Sequence, residues 1–586
     1  MSQLLRDPPT KRPEATPLFD HPGWVRAHSG DVRWQVRHEW SGTLIGPSGL
    51  RLDQWRRDGA LTTVKAGPHR VVYRADLPQG SVYVKHFLVP GLRAKLRQWF
   101  RRGKGRNEGL RAVQLAAIGV PTITPIALGE QRRRGFVLEN YLVTPALSEM
   151  VPLNEFVEDR LPGWPAPRRA SARRALAVAL GELAARLHEA GLVHEDFHPG
   201  NLMVRMGPRD SRPHLALIDL DALRTRRRLS WGAARANLAL LNHYFWMRCG
   251  WTDRLRFLKA YLEARGRRPS DFRAFARGIE AATRSWAERH WRRCGRRCRS
   301  TNKYFKCYRG PSSWAVAARE LEPGTVANLM ADLDAPSAGA DAVVLKHSRT
   351  TTVAELTLPT VSGPVRVIYK TFHRKKRLDP IWALFRPSRG WQAWQAGQHL
   401  ASRDLPTPKN LAILAKTRRG IGRALPRETY LVTVKAVPAT TLGDYLREVM
   451  PTLNPDTRRD RIRRLARALA RLIRAMHERS LSHRDLKAAN ILIEGDPAAD
   501  EPKLSLIDLG GVRLTGYPVP PGRRVQNLAR LHVSLADLST RADALRFLRA
   551  YGSVDHEPDW KSTWRAVAAR ARKKEGQNRR RGREIS

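Results

Sequence analysis

HRDLKAANILI, residues 483–493, has a counterpart 289 residues upstream in HEDFHPGNLMV, residues 194–204. The same offset carries LALIDLDALR (215–224) onto LSLIDLGGVR (504–513), ENYLVT (139–144) onto ETYLVT (428–433), and LHEAGL (187–192) onto MHERSL (476–481). Further out, VYVKHF (82–87) and GVPT (119–122) return as VIYKTF (367–372) and DLPT (404–407) at an offset of 285, and RFLKAY (256–261) returns as RFLRAY (546–551) at 290. A register held over this much chain means one domain duplicated in tandem.

Within each copy, β-branched and aromatic runs containing a lysine come first, and long Ala/Leu/Arg patterns of helical period follow. In the first copy residues 60–87 read as a hairpin plus a third strand, 108–118 as a helix ending before Pro121, and 169–190 as a longer helix running into the HEDFHPGN loop. Strands followed by helices give an α+β fold, here two tandem bilobal domains. The expected division is an extension over 1–55, a first domain over 56–275, a basic linker over 276–335, a second domain over 336–560, and a basic tail over 561–586, of which Arg570 to Arg583 is read as solvated and mobile.

Three features recur in both copies. A strand lysine (Lys85, Lys370) precedes a His-x-Asp whose Asp is followed five residues later by Asn (Asp196 and Asn201; Asp485 and Asn490), and a second Asp (Asp219, Asp508) ends an apolar strand 23 residues after the first. Alone, a strand lysine is usually a solvated edge residue and a lone Asp a turn or cap. Together they are the parts that phosphoryl transfer from ATP requires: a cation on the phosphates (Lys85, Lys370), a carboxylate to accept the hydroxyl proton (Asp196, Asp485), and an amide plus a carboxylate for Mg²⁺ (Asn201 and Asp219; Asn490 and Asp508). Glu108, on the expected helix, is the partner of Lys85. His194 and His483 read as structural holders of the loop rather than as acids or bases. His198 reads equally as a phosphate contact or a packing residue.

These motifs resemble the Kdo/WaaP lipopolysaccharide kinase family, protein-kinase relatives that phosphorylate inner-core sugars, and HEDFHPGN also resembles RIO and aminoglycoside-type kinases. The resemblance covers most of 60–265 and 340–555. It implies two protein-kinase-like domains, ATP and Mg²⁺ as cofactors, and a glycolipid or sugar acceptor, Kdo or heptose. One observation favours a non-peptide acceptor independently. No Ala-Pro-Glu follows the second Asp, and only 18 positions separate Asp219 from NLALL (237–241), so the segment that docks a peptide in protein kinases is missing.

The copies also depart from the pattern. Neither has a G-x-G-x-x-G loop. VKAGPHRVVYRADL (64–77) and LKHSRTTTVAEL (345–356) stand in its place, with Lys65, Lys346 and Arg349 as candidate phosphate cations. The second copy has Ala393 where the first has Glu108. The first has Glu195 for the usual Arg and Asp221 for the usual Gly, the latter readable as a further metal ligand or as a cap. Both sites are read as competent, the first ahead of the second. The alternative is that one or both copies are pseudokinases acting as a scaffold or regulatory module.

Composition bounds the rest. The chain has 586 residues, 106 Lys and Arg against 54 Asp and Glu, and a formal charge of +52, which predicts a polyanionic partner. Nucleic acid ranks behind ATP and a phosphorylated glycolipid, because no RRM, KH or zinc-finger pattern appears. Four cysteines are too few for a disulfide framework, the start MSQLLRDPPTKRPEA lacks the apolar run of a secretory signal, and no stretch is apolar enough to span a bilayer. A cytoplasmic protein is expected. Trp99 and Phe100, and Trp382 and Phe385, lie among arginines and read either as aromatics packed on the small lobe with the arginines solvated or as a peripheral contact with the anionic inner face of the cytoplasmic membrane. His290, Cys294, Cys298 and Cys307 supply a zinc-type ligand set, although their spacing is unlike the usual pair of Cys pairs.

Overall fold

The structure, a computed structural model, describes residues 23–67, 69–89, 103–133, 136–207, 209–339, 342–373, 387–417, 428–499, 502–515, 519–552 and 560–580. The chain divides into two compact units, Met1–Trp286 and Ala287–Ser586. Trp99, Phe100, Trp382 and Phe385 lie outside the described residues.

The first unit opens with a seven-stranded antiparallel sheet in the order Trp24–Ser29, Val32–Arg37, Ala127–Arg133, Phe136–Pro145, Gly80–Leu88, Arg70–Leu77, Leu61–Gly67. The strand Gly80–Leu88 shows why this sequence is a strand: Val82 and Val84 are wholly buried in the core of the sheet, and period two turns Lys85 and Phe87 to the opposite face. Phe87 there joins Ala112 and Leu115 of the helix Lys104–Ala117. The second unit repeats the order with Phe305–Arg309, Ser313–Ala318, Asn410–Lys416, Glu428–Val434, Gly363–Phe372, Thr351–Thr360 and Val343–Ser348. Lys85 pairs across the sheet with Leu142, and Lys370 pairs with Leu431, so the register is conserved between the copies.

Both sheets begin earlier than the boundaries expected at 56 and 336. Trp24–Arg37 lies in the segment read as an extension, and Phe305–Ala318 in the segment read as a linker. Trp34 and Val36 alternate into the first core, and Ala315 and Ala317 into the second. These outer strands have no recognisable counterpart in each other's sequence, so the repeat did not reveal them.

A second core builds a helical lobe in each unit, and in the first it runs on to Phe87, Leu128 and Leu142 of the sheet. In the first it is formed by Ala166–Glu189, Trp231–Trp246, Trp251–Ala264 and the start of Phe272–Arg297, with the short strands Leu192–His194, Leu202–Arg205, His214–Leu217 and Leu223–Thr225. The helices Ala166–Glu189 and Trp251–Ala264 touch at Gly181, where a Cβ would fall 2.7 Å from the Phe257 carbonyl oxygen. In the second unit Pro455–Glu478, Pro521–Ser534, Arg541–Gly552 and Trp560–Arg580 do the same. The last of these corrects the expectation of a mobile tail. Trp564, Val567 and Ala571 recur at helical spacing, and Val567 and Ala571 are buried, so the basic residues ride on a packed amphipathic helix. Among the described residues no helix is long and apolar enough to cross a membrane.

Each helical lobe holds a buried histidine in the same polar triad. His188 Nδ1 is 2.8 Å from Tyr261 Oη and Nε2 3.1 Å from Asn237 Oδ1; His477 meets Tyr551 and Asn527 at the same two distances. Burial pushes both imidazoles down to about 4, against the raising effect of the Asn contact. Between pH ~6.5 and ~4 the unfolded chain therefore binds more protons, and stability falls as pH falls through that window. The expected loss from about pH 7 to about pH 5 is about 2 kcal/mol per histidine, measured as the drop in urea-unfolding free energy. Equal free energies at the two values would mean that the histidines charge without leaving the fold.

Candidate active site

The His-x-Asp loop follows a strand whose last residue, His194 or His483, is completely buried. Burial holds both imidazoles below their ordinary pKa. His194 Nε2 is 3.2 Å from the Asp219 carbonyl oxygen, and His483 Nδ1 accepts the Asp485 amide at 3.1 Å. His194 thus holds the Asp219 turn and His483 the Asp485 loop, the structural role expected of them.

Asn201 donates its side-chain amide to the Asp196 carbonyl at 2.8 Å, and its own carbonyl accepts the Ile218 amide at 2.9 Å. Asn490 repeats both contacts, to Asp485 at 2.8 Å and from Ile507 at 3.0 Å. The structure therefore brings together Asp196, Asn201 and Asp219 in one unit and Asp485, Asn490 and Asp508 in the other. Asp219 and Asp508 have left-handed backbones, with φ of 56° and 52°. Such a conformation is unfavourable for a residue with a Cβ and is kept only where surrounding contacts enforce it. The Asp196 side chain is 68% exposed, with His198 Nε2 3.4 Å from its Oδ2. His198 is itself held by the Gly200 amide on Nδ1. Glu195 pairs with Arg224 at 3.0 Å.

In the first unit Lys85 hydrogen-bonds Glu108, whose side chain is wholly buried. Glu108 Oε1 also accepts the Leu220 amide at 3.3 Å, and Arg111, one helical turn on, donates to the carbonyls of Leu220 and Asp221 at 2.8 Å. The helix thus grips the turn that carries Asp219. Asp221, open in the sequence between metal ligand and cap, lies 3.8 Å from both Lys104 and Arg111 on that helix. Arg70 Nη1 reaches from the hairpin to Asp219 Oδ1 at 3.0 Å. Burial pushes the Asp219 carboxyl up, but Lys85 and Arg70 outweigh it and hold the group below the ordinary carboxylate range. Lys65, expected to hold phosphate, is exposed on the outermost strand.

The second unit replaces both grip residues by alanine: Ala393 stands for Glu108 and Ala396 for Arg111, and both are buried. Lys370 pairs instead with Asp508, at 2.8 Å. Burial pushes Asp508 up and Lys370 more than reverses it. Lys346 and Arg349 are exposed. Sequence reasoning missed Arg70 and Arg111. The available signals were a cation directly after the hairpin turn GPH and a cation one turn beyond Glu108.

The cysteine set does not assemble. Cys294 Sγ is 3.4 Å from His290 Nε2, Cys298 donates to the Gly295 carbonyl, and Cys307 lies 3.8 Å from the Arg299 carbonyl oxygen. Among the described residues no three His, Cys, Asp or Glu side chains converge as a metal site.

Comparison with known proteins finds two matches to the family model described as "Lipopolysaccharide kinase (Kdo/WaaP) family", over residues 75–261 and 371–551. The solved structure "WaaP in complex with acyl carrier protein" is 22% identical over 43% of this chain and 98% of that one, with a TM-score of 0.32. The Toxoplasma gondii rhoptry antigen kinase domain is 16% identical over 38% and 83%, with a TM-score of 0.25. No curated protein matches the chain.

Glu108 is wholly buried and Lys85 largely so, and removing the carboxylate breaks this ion pair and takes the acceptor from the Leu220 amide. Glu108→Ala is expected to lower the stability of the first unit by about 3 kcal/mol and to leave the second unit's transition in place. Differential scanning calorimetry reads both; an unchanged first transition would show that the pair contributes nothing in solution.

Proposed function

The chain belongs to the lipopolysaccharide kinase (Kdo/WaaP) family, as two tandem kinase-like domains, and from that premise we propose that it transfers the γ-phosphoryl group of ATP to a sugar hydroxyl of the lipopolysaccharide inner core, on Kdo or heptose. The observation that carries the proposal is the exposed Asp196 carboxylate on a loop whose backbone carbonyl is held by Asn201, beside an Asp219 turn held by His194. Such a group is open to an incoming hydroxyl while its position is fixed.

The donor set fits Mg²⁺. Asn201 spends its amide nitrogen on the loop, which leaves its side-chain oxygen available beside the Asp219 carboxylate, and hard oxygen ligands are what Mg²⁺ prefers. Asn201 and Asp219 would hold the metal in the first unit, Asn490 and Asp508 in the second. Bound there, ATP with Mg²⁺ supplies the transferable phosphoryl group and neutralises its oxygens. Lys85, oriented by Glu108, presents its ammonium to the phosphates; Asp196 takes the hydroxyl proton on a carboxylate oxygen. Only Arg226–Ser230 separates the strand Leu223–Thr225 from the helix at Trp231, so little chain follows Asp219 to obstruct a bulky sugar acceptor. Exposed Arg565, Arg570, Arg572 and Lys573 on the last helix suit a peripheral position on the anionic inner leaflet, where a lipid-anchored acceptor is presented.

A second reading is favoured by Ala393, Ala396 and the Lys370–Asp508 pair: the second unit is a scaffold or regulatory module that does not turn over. Phosphorylation of purified inner-core glycolipid by the full chain separates the two. In the Asp485→Ala background, Asp196→Ala is expected to reduce transfer at least ~100-fold. Asp485→Ala alone lowers wild-type transfer only if the second unit is active, and leaves it unchanged under the scaffold reading. Wild-type transfer by both single variants and by the double variant would reject Asp196 and Asp485 as bases.

A further inference from the structure

The hairpin Leu61–Leu77 has no glycine-rich loop, yet its second strand begins with a guanidinium that crosses to the helical lobe. Arg70 lies 149 positions from Asp219 in the chain and meets its Oδ1 at 3.0 Å, with both side chains only partly exposed. Lys85 also acts on Asp219, but Lys85 is anchored by Glu108. Arg70 has Asp219 as its partner among the described residues. A divalent cation on the Asp219 carboxylate would face the positive charge of Arg70 at contact distance, and the polyphosphate that accompanies it would offer the guanidinium several anionic oxygens in exchange. The second unit lacks this arrangement. Thr351 faces Phe372 in the register where Arg70 faces Phe87, and Lys370 takes the carboxylate itself.

The geometry points to Arg70 as the phosphate-binding cation of the first unit's hairpin, one that exchanges its ion pair with Asp219 for the nucleotide's phosphates as Asp219 takes the metal. The inference rests on the kinase reading above and adds a residue to the nucleotide site. In this role Arg70 does two opposite things. It opposes metal binding to the bare protein and supports binding of the metal–nucleotide complex, so the first site discriminates against free divalent cations. A residue that merely tied the lobes together would favour both or neither.

The test uses the full chain carrying Asp508→Asn, which removes the second unit's metal carboxylate, with Arg70 intact or replaced by Gln or Lys. Mn²⁺ alone is titrated by electron paramagnetic resonance, and the non-hydrolysable analogue AMPPNP is titrated calorimetrically at saturating Mg²⁺. Arg70→Gln is expected to tighten Mn²⁺ binding about tenfold and to weaken AMPPNP binding about tenfold. Arg70→Lys keeps a charge without the planar fork, so Mn²⁺ affinity stays near that of the parent while AMPPNP affinity falls part of the way. Arg70→Gln unchanged in both titrations, or weaker in both, overturns the exchange while leaving the kinase reading intact. A parent chain that binds no AMPPNP overturns both.

Discussion

Asn201 makes two backbone contacts that join separate segments of the chain, to the Asp196 carbonyl through its side chain and from the Ile218 amide through its main chain. The rest of the site hangs from these two bonds. Backbone groups in a buried loop must find partners, and an asparagine supplies a donor for the loop while keeping its side-chain oxygen as an acceptor. Aspartate has the same shape and no donor; alanine has neither. The same pair of contacts at Asn490 shows that duplication preserved this frame even where the surrounding charges diverged.

The divergence is concentrated around the lysine. In the first unit Glu108 and Arg111 tie one helix to the Asp219 turn, and Arg70 ties the hairpin to it as well. In the second unit those positions are Ala393, Ala396 and Thr351, and Asp221 is replaced by Gly510. With its carboxylate partner gone, Lys370 falls onto the nearest remaining one, Asp508. A half-buried cation gains from a carboxylate within reach, so losing Glu108's equivalent reassigns the lysine rather than freeing it. The two units therefore present the same skeleton with different electrostatics, and exchange of one for the other would not be neutral.

Much of this was legible in the chain because it is local. The strand lysines, the His-x-Asp loops, the asparagines five residues on and the left-handed aspartates occupy short motifs whose spacing repeats. What escaped depends on partners distant in sequence. Arg70 is one arginine among many until the fold carries it to Asp219, and the outer strands at Trp24–Arg37 and Phe305–Ala318 are too short and too unlike each other to stand out. The helix Trp560–Arg580 was hidden by composition. Its charge suggested a solvated tail, whereas three well-spaced apolar residues, Trp564, Val567 and Ala571, decide its placement.

That helix has a consequence for synthesis on the ribosome. The motifs of the second site are complete once residue 508 has been made, but the core of its helical lobe also needs Val567 and Ala571. At the usual ~5–20 residues per second, Leu528 and Leu531 wait several seconds for the residues that cover them. The second unit thus passes through a nascent stage with its site encoded and its core open, a stage in which a chaperone or a neighbouring nascent chain finds exposed apolar surface.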